Sequence, residues 1–150
     1  MIKHFVVSAV IFNQKAEVLL VKHKKHGVWV YPGGHLEKNE SPDEGVLREV
    51  KEETGLIVEI VDRRYYSLES RKDKTTVLHR PKVVFEEIIE RAGKQHCHLD
   101  LVYHCRVAGR ENYRHNKDES EGIGFFKVSE IDDLAMFDHV RILVKKLSGK

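Results

Sequence analysis

The chain has 150 residues, of which 26 are Lys or Arg and 24 are Asp or Glu, so its formal net charge is +2 with ten His counted as neutral. This length is typical of one domain with a real hydrophobic core, and the near balance of charge argues against a nucleic-acid or membrane partner held by electrostatics. The two cysteines form neither a C-x-x-C pair nor a disulfide framework, so we expect free thiols in a reducing, cytoplasmic setting.

The first part of the chain is predicted to form strands. Residues 4–12 and 17–22 are rich in Val, Ile and Leu and flank a turn at 13–15, which is typical of a β-hairpin. The apolar run in the first strand is too short to span a bilayer and lacks a convincing signal-peptide cleavage site. A basic loop at 23–27 leads to a short strand and then to a Gly-Gly turn at 33–34, where another group can approach the backbone closely.

A helix with well-marked ends is predicted at 42–54. Ser41 is a good N-cap, Pro42 occupies the first helical position, and Glu44 completes a capping box. Gly55 supplies the left-handed residue that ends many helices. The boundaries of this helix are therefore set by local sequence alone.

Three glutamates give this helix an acidic face. Glu49, Glu52 and Glu53 are spaced i, i+3 and i+4, so their carboxylates project from one side. Like charges at this spacing repel one another, and hard divalent cations such as Mg²⁺ or Mn²⁺ would relieve the repulsion. The alternative is a solvated helix face with Glu, Lys and Arg pairs, which is how most charge runs are used.

The remainder of the chain is predicted to alternate strands with loops and to end in a helix. Strands are predicted at 57–68, 83–89, 96–107 and 123–128, a capped helical turn at 129–134, and a final helix at 137–147.

The strand at 96–107 has two different faces. One carries Cys97, Leu99, Leu101, Tyr103 and Cys105, and the other carries His96, His98, Asp100, Val102 and His104. We expect the first face in the core and the second toward the substrate cleft or solvent. As an alternative, His96, His98 and Asp100 are a combination that binds a transition metal.

The stretch from Gly34 to Leu56, GHLEKNESPDEGVLREVKEETGL, matches every position of the pattern G-x5-E-x7-R-E-U-x-E-E-x-G-U, with U apolar. It resembles the signature of the Nudix hydrolase family (MutT-like). The resemblance implies an α/β (α+β) fold in which a mixed, partly barrel-like sheet lies between helices. It also implies that residues 1–150 form a single Nudix domain, with the acidic helix on one side of the sheet and the last helix on the other.

The implied activity is Mg²⁺- or Mn²⁺-dependent hydrolysis of a diphosphate linkage in a nucleoside diphosphate derivative. Similar ADP-ribose hydrolases commonly carry a proline that would fall near Arg71, but the next proline here is Pro81. The expected substrate is therefore a nucleoside triphosphate or a related small nucleotide. The alternatives are a nucleotide-binding sensor without turnover and an RNA 5′-end pyrophosphohydrolase. Dimers are common among similar proteins, so a homodimer is one expectation.

Roles for residues inside the motif also follow from the resemblance. Glu49, Glu52 and Glu53 are expected to bind the metal and to act in catalysis, and Arg48 is expected to orient Glu49. The carbonyl of Gly33 is a further candidate metal ligand, and Glu40 a candidate outer ligand.

Outside the motif, the resemblance suggests one more acidic residue near the last strand. We favour Glu121 over Glu119 as metal ligand or general base, and a motif glutamate is also a candidate for the base. Substrate contacts are predicted at His35, Lys22, Arg64 and His98. For each of these residues, an ordinary surface position is the alternative.

Overall fold

The computed structural model describes residues 1–149, which contain eight strands, two α-helices and two short 3₁₀ helices. The strands are β1 (Ile2–Phe12), β2 (Glu17–His23), β3 (Trp29–Val30), β4 (Gly33–His35), β5 (Val58–Ile60), β6 (Val83–Arg91), β7 (Lys94–Val107) and β8 (Ser120–Lys127). The helices are α1 (Pro42–Thr54) and α2 (Asp138–Leu147), and the 3₁₀ helices are Tyr66–Leu68 and Val128–Asp133.

All eight strands belong to one mixed sheet. Its main path runs β3-β2-β1-β7-β5, while β4 pairs with β1, β6 with β7 and β8 with β2. The long central strands β1 and β7 are parallel along the whole of β1. By contrast, β1 and β2 pair next to the turn that joins them, where Phe12 faces Val18. Away from this turn the two strands separate, so the sheet divides into two parts. This branched, mixed sheet with helices against it confirms the predicted fold class.

Alternate residues of β1 point into two separate cores. Val7, Ala9 and Ile11 pack with Val46 and Val50 of α1. The intervening residues Val10 and Phe12 pack with Val140, Leu143 and Val144 of α2. The two helices therefore cover opposite faces of the sheet, as predicted.

Helix α1 begins and ends where the sequence predicts. The Ser41 hydroxyl accepts a hydrogen bond from the Glu44 N–H, and the Glu44 carboxylate accepts one from the Ser41 N–H, which completes the capping box. Gly55 adopts a left-handed φ of 73° and closes the helix through its N–H to the carbonyl of Lys51. These local bonds fix the direction in which the acidic face points.

The predicted strand at 57–68 is wrong over most of its length. β5 covers only Val58–Ile60, and Tyr66–Leu68 form a 3₁₀ turn instead. The reason is competition for one edge of β7. β5 pairs with the C-terminal end of β7, from Cys105 to Val107. β6 pairs with the rest of the same edge, from Val102 to Lys94. No room remains for a longer β5.

Smaller differences concern segment boundaries around the site. Residues 33–35 form the short strand β4 against β1 rather than a free turn. β8 begins at Ser120, three residues before the predicted start, and pairs with β2. The helix at 138–147 agrees with prediction. Within residues 1–149, no helix is long and apolar enough to cross a membrane.

Both faces of β7 contain buried residues, whereas only one face was predicted to lie in the core. Cys97, Tyr103 and Cys105 lie in the core as expected, and both cysteines are free thiols. However, Asp100 and Val102 on the other face are also buried, because α2 covers that side. A carboxylate is thus enclosed next to an apolar core.

Candidate functional site

The carboxylates of α1 line one open cavity of about 520 Å³ beside β4 and the start of β8. Glu49, Glu52 and Glu53 all contribute to its wall, and Glu119 faces them from the segment before β8. The spacing on the helix therefore brings the three predicted glutamates together, and the tertiary fold adds a fourth.

Arg48 is the centre of an ion-pair network behind this cavity. Its Nη1 donates to Glu49 Oε1 at 2.9 Å and to Glu52 Oε2 at 3.2 Å, while its Nη2 donates to the His35 carbonyl at 3.1 Å. Hydrogen bonds with Glu40, then with Glu49, raise the pKa of Arg48, so the guanidinium stays charged. The expected orientation of Glu49 by Arg48 is present in the structure.

Glu40 lies next to the motif glutamates through its bonds to Arg48. Its two oxygens accept bonds from Arg48 Nε at 3.0 Å and Arg48 Nη2 at 2.6 Å, and Oε1 also accepts from the Glu37 N–H at 2.8 Å. The hydrogen bond from Arg48 is the main reason that the pKa of Glu40 is lowered. Glu40 is not part of the cavity wall. In the structure Glu40 holds Arg48, and its role as an outer metal ligand stays a prediction.

The two glycines of β4 allow close packing at the cavity. A Cβ on Gly33 would lie 2.5 Å from the Ser8 hydroxyl and from the Val7 carbonyl oxygen, and one on Gly34 would lie 2.5 Å from the Glu49 carboxylate oxygens. Real Cβ atoms do not approach so closely, so any larger residue would displace β1 or Glu49. The glycines are therefore required by the position of Glu49 and by the pairing of β4 with β1.

The negative charges of the cavity carboxylates are not fully balanced by nearby positive charges and hydrogen-bond donors. Burial, followed by the charges of Glu119 and Glu49, raises the pKa of Glu53 to about 8, although the Gly33 N–H lowers it in part. Burial is also the main reason that the pKa of Glu49 is raised, and Arg48 opposes the shift. Such a group of oxygen ligands suits hard divalent cations. Within residues 1–149, no three His, Cys, Asp or Glu side chains are already closed around a metal position.

Glu119, and not Glu121, lies at this cavity, which corrects our preference. The N–H groups of Glu119 and Ser120 both donate to the Asn116 carbonyl, at 3.1 Å each, and this turn carries Glu119 into the cavity wall. Glu121 lies on the exposed side of β8 and lines neither this cavity nor the next one. The turn is local, but which acid faces α1 depends on how β8 pairs with β2, and sequence spacing does not distinguish the two residues.

A second cavity of about 410 Å³ adjoins the first and shares part of its wall. The shared residues are His23, Val30, Tyr31, Gly33, Gly34 and His35. Beyond them the second cavity extends to Ser8, Glu87, Asp100 and His139. Sequence analysis missed Ser8, Glu87 and His139. The signal that was available was Asp100, a carboxylate between two leucines of β7.

The predicted substrate residues divide into two groups. His35 and His98 line the second cavity with ring centroids 5.1 Å apart, and burial lowers the pKa of both. Lys22 pairs with Trp29 across β2 and β3 and lines neither cavity. Arg64 also lies outside both cavities, with its guanidinium 4.3 Å above the Tyr66 ring. The structure therefore does not place Lys22 or Arg64 at the site.

Known proteins are similar to this chain in sequence and in fold. A "MutT-like protein" of Streptomyces ambofaciens is 43% identical over 54 residues, which cover 36% of this chain and only 35% of that protein. An "ADP-ribose pyrophosphatase" of Methanocaldococcus jannaschii is 29% identical over 136 residues, 89% of this chain and 67% of that protein. A crystal structure of a NUDIX-family hydrolase from Clostridium perfringens superimposes with a TM-score of 0.86 at 25% identity, covering 99% of this chain and 98% of that one.

The family assignment rests on the whole domain as well as on the motif. The family model described as "NUDIX domain" matches residues 2–145, so the match extends from β1 to α2. With the complete motif, which extends from β4 through α1, and the fold shared with known members, the chain belongs to the Nudix family.

Proposed function

We propose that this chain is a single-domain Nudix pyrophosphohydrolase that cleaves the diphosphate linkage of a small nucleotide with the help of Mg²⁺ or Mn²⁺. The observation that supports the proposal best is the convergence of Glu49, Glu52, Glu53 and Glu119 on one cavity. Four carboxylates facing one space are costly unless cations join them, and a diphosphate is the substrate group that such cations bind.

In this proposal, Glu49, Glu52 and Glu53 hold the metal, and the carbonyl of Gly33 is a further ligand. A bound divalent cation would neutralise phosphate charge and acidify a coordinated water. Arg48 keeps the Glu49 carboxylate in place through the 2.9 Å hydrogen bond, and Glu40 keeps Arg48 in place. Glu40 thus acts through Arg48 on the position of Glu49.

Glu119 is the residue outside the motif that we propose for proton removal from the attacking water. It belongs to a different segment from α1, and its charge raises the pKa of both Glu49 and Glu53. A base on the opposite wall can approach a water that the motif glutamates do not reach. Attack of that water on phosphorus then breaks the bond to the leaving phosphate, without a covalent enzyme intermediate.

A nucleotide panel tests this function. Release of phosphate and pyrophosphate would be measured with Mg²⁺, with Mn²⁺ and with a chelator, using nucleoside triphosphates, ADP-ribose and 5′-triphosphorylated RNA as substrates. We expect metal-dependent hydrolysis of at least one small nucleotide and a loss of several orders of magnitude in Glu53→Gln. Tight nucleotide binding with no turnover would instead support a sensor, and turnover confined to RNA would support a 5′-end pyrophosphohydrolase.

ADP-ribose is a second candidate substrate. A relative from Methanocaldococcus jannaschii that aligns over 89% of this chain is named an ADP-ribose pyrophosphatase. The absence of a proline near Arg71 argues in the other direction. Release of AMP and ribose 5-phosphate from ADP-ribose, compared with hydrolysis of nucleoside triphosphates, distinguishes the two substrates.

A further inference from the structure

Four histidine rings lie together at one end of the central strands, and we call them the histidine cluster. Three neighbouring strands contribute them: β1 has His4, β4 has His35, and β7 has His96 and His98. The parallel pairing of β1 with β7 places His4 beside His98, and β4 pairs with β1 where His35 faces Val6. The tertiary fold therefore gathers histidines from distant parts of the sequence.

The rings of the cluster contact one another in a continuous chain. Ring centroids are 5.1 Å apart for His35 and His98, 5.6 Å for His4 and His35, and 6.2 Å for His4 and His96. Imidazoles that share one tetrahedral ion, with metal–nitrogen bonds of about 2.1 Å, have centroids about 5 Å apart. The first pair already has this spacing, and the other two exceed it by roughly 0.5 to 1 Å.

His98 is close to every other member of the cluster. Burial lowers the pKa of His98 most, and the charges of four neighbours lower it further: His35, His4, His96 and, least of all, Arg91. The rings of all four histidines are therefore near one another. A lowered pKa also keeps the imidazole neutral near pH 7.5, which is the form that binds a metal.

Ordinary packing does not account for this grouping. The rings of His79, His115 and His139 each lie within hydrogen-bond distance of an oxygen, whereas each cluster ring contacts another cluster ring. His4 and His35 are exposed, so the burial of apolar surface gives little reason for them to come together. A shared ligand does give one.

The donor atoms determine the class of ion. Asp100, the carboxylate that the sequence suggested as a partner of two cluster histidines, is 4% exposed and accepts a hydrogen bond from the Ser8 hydroxyl at 2.8 Å. The cluster itself offers only imidazole nitrogens. Such nitrogens suit Zn²⁺, Cu²⁺ and Ni²⁺, whereas Mg²⁺ and Mn²⁺ prefer the oxygen ligands of the carboxylate cavity.

We propose that the histidine cluster is a second metal site, separate from the carboxylates of α1, and that it binds one transition-metal ion of the Zn²⁺ class. In the described part of the chain, no three side chains already surround one metal position, so the rings rotate when the ion binds. Exposed side chains change rotamer rapidly, and two of the four rings are exposed. The bound ion would join β1, β4 and β7, and its binding does not depend on nucleotide hydrolysis.

Calorimetric titration with Zn²⁺ tests this site. The protein would carry no histidine tag, and Mg²⁺ would be present in excess to occupy the carboxylate cavity. At pH 7.5 we expect one Zn²⁺ to bind per chain and to raise the thermal midpoint, because the ion binds the folded strands and not the unfolded chain. Co²⁺ would be titrated in parallel, since its visible absorption reports nitrogen ligands.

Substitutions connect the binding to its residues. His4→Gln and His98→Gln each remove one ligand, so each should weaken Zn²⁺ binding at least about tenfold. His79→Gln is the matched control, since His79 lies outside the cluster and glutamine can still donate to Asp43. Glu53→Gln should bind Zn²⁺ like the wild type, which separates this site from the carboxylate cavity.

The outcomes distinguish this inference from the proposed function. No Zn²⁺ binding by the wild type, or wild-type affinity in both His4→Gln and His98→Gln, would overturn the inference even if the protein hydrolyses nucleotides. Weaker binding in both variants, with unchanged binding in His79→Gln and Glu53→Gln, would support it even in a protein without hydrolytic activity. If His98→Gln does not fold, the result for the exposed His4 decides.

Discussion

Gly34 lies directly against the carboxylate of Glu49. A Cβ on residue 34 would be 2.5 Å from both Glu49 oxygens, which is closer than any real Cβ contact. The same carboxylate is held from the other side by Arg48 Nη1 at 2.9 Å. Glu49 is therefore confined between a backbone without a side chain and a guanidinium, which explains why the motif places a glycine 15 residues before this glutamate.

Replacement of Gly34 by alanine should displace Glu49 while the fold persists. We expect turnover to fall about a hundredfold, because a shift of about 1 Å in a catalytic group has effects of that size. The measurement is the rate of nucleotide hydrolysis, with circular dichroism to confirm folding. Gly124→Ala is the control, since a Cβ there meets Phe126 atoms at ordinary distances of 3.6 Å and more. Full activity in Gly34→Ala would show that the position of Glu49 is not critical.

Arg48→Lys should lower activity about ten- to a hundredfold, because lysine keeps the charge but cannot bridge Glu40 and Glu49 at the same time. Glu40→Gln should have a smaller effect, since a glutamine oxygen still accepts from Arg48. These variants would be compared by kcat and by the Mg²⁺ concentration needed for half-maximal rate. If Glu40→Gln raised that concentration more than Arg48→Lys did, Glu40 would have to be a metal ligand after all.

Substitutions of Glu119 and of Glu121 should have very different effects on kcat. Glu119 lines the carboxylate cavity, so Glu119→Gln is expected to lower kcat about a hundredfold or more, as for the loss of a general base. Glu121 lines neither cavity, so Glu121→Gln should retain nearly all activity. Measuring kcat for both variants under saturating metal tests the assignment. The reverse order of effects would restore our original preference for Glu121.

Glu53 should make the metal-free protein less stable as the pH rises. Its pKa is raised to about 8 in the folded protein, above the ordinary value of 4.5, so the folded state retains a proton that the unfolded state loses. The contribution of Glu53 to stability is then most favourable below about pH 4.5 and declines as the pH rises toward 8. In Glu53→Gln this contribution is absent. The variant should therefore melt several degrees above the wild type at pH 8 in a chelator, and close to it at pH 4.5.

The shape of that pH dependence also checks the role of metal. Asp100, whose pKa is raised to about 7, contributes to the same decline, so the difference between wild type and Glu53→Gln is the quantity that isolates Glu53. Adding Mg²⁺ at pH 8 should raise the melting temperature of the wild type more than that of the variant. If the difference in melting temperature between the wild type and Glu53→Gln is the same at every pH, the pKa of Glu53 is not raised by its surroundings.

Local sequence determined α1 and its acidic face, and these could be predicted well. The capping box at Ser41, the stop at Gly55 and the i, i+3, i+4 spacing each act within a few residues. Features that depend on distant segments could not be predicted in this way. β5 is short because β6 takes the same edge of β7, and Glu119 meets the carboxylates of α1 only across a cavity that the folded chain creates.

The second cavity illustrates the same limit. Ser8 and Asp100 lie 92 residues apart in sequence and are joined by one hydrogen bond between β1 and β7. The alternation of β7 placed Asp100 on the side of the cleft, in agreement with prediction for that residue. The alternation of β7 did not indicate that α2 would bury Asp100, because the pattern of a strand does not encode how a helix packs on it.

The central claim is that the carboxylates of α1 bind divalent cations, and Mn²⁺ titration followed by electron paramagnetic resonance tests it most directly. We predict stoichiometric Mn²⁺ binding by the wild type and at least about tenfold weaker binding by Glu49→Gln and Glu53→Gln. Glu59→Gln, which alters an exposed acid paired with Arg106, should bind Mn²⁺ like the wild type. Wild-type affinity in both motif variants would contradict the claim.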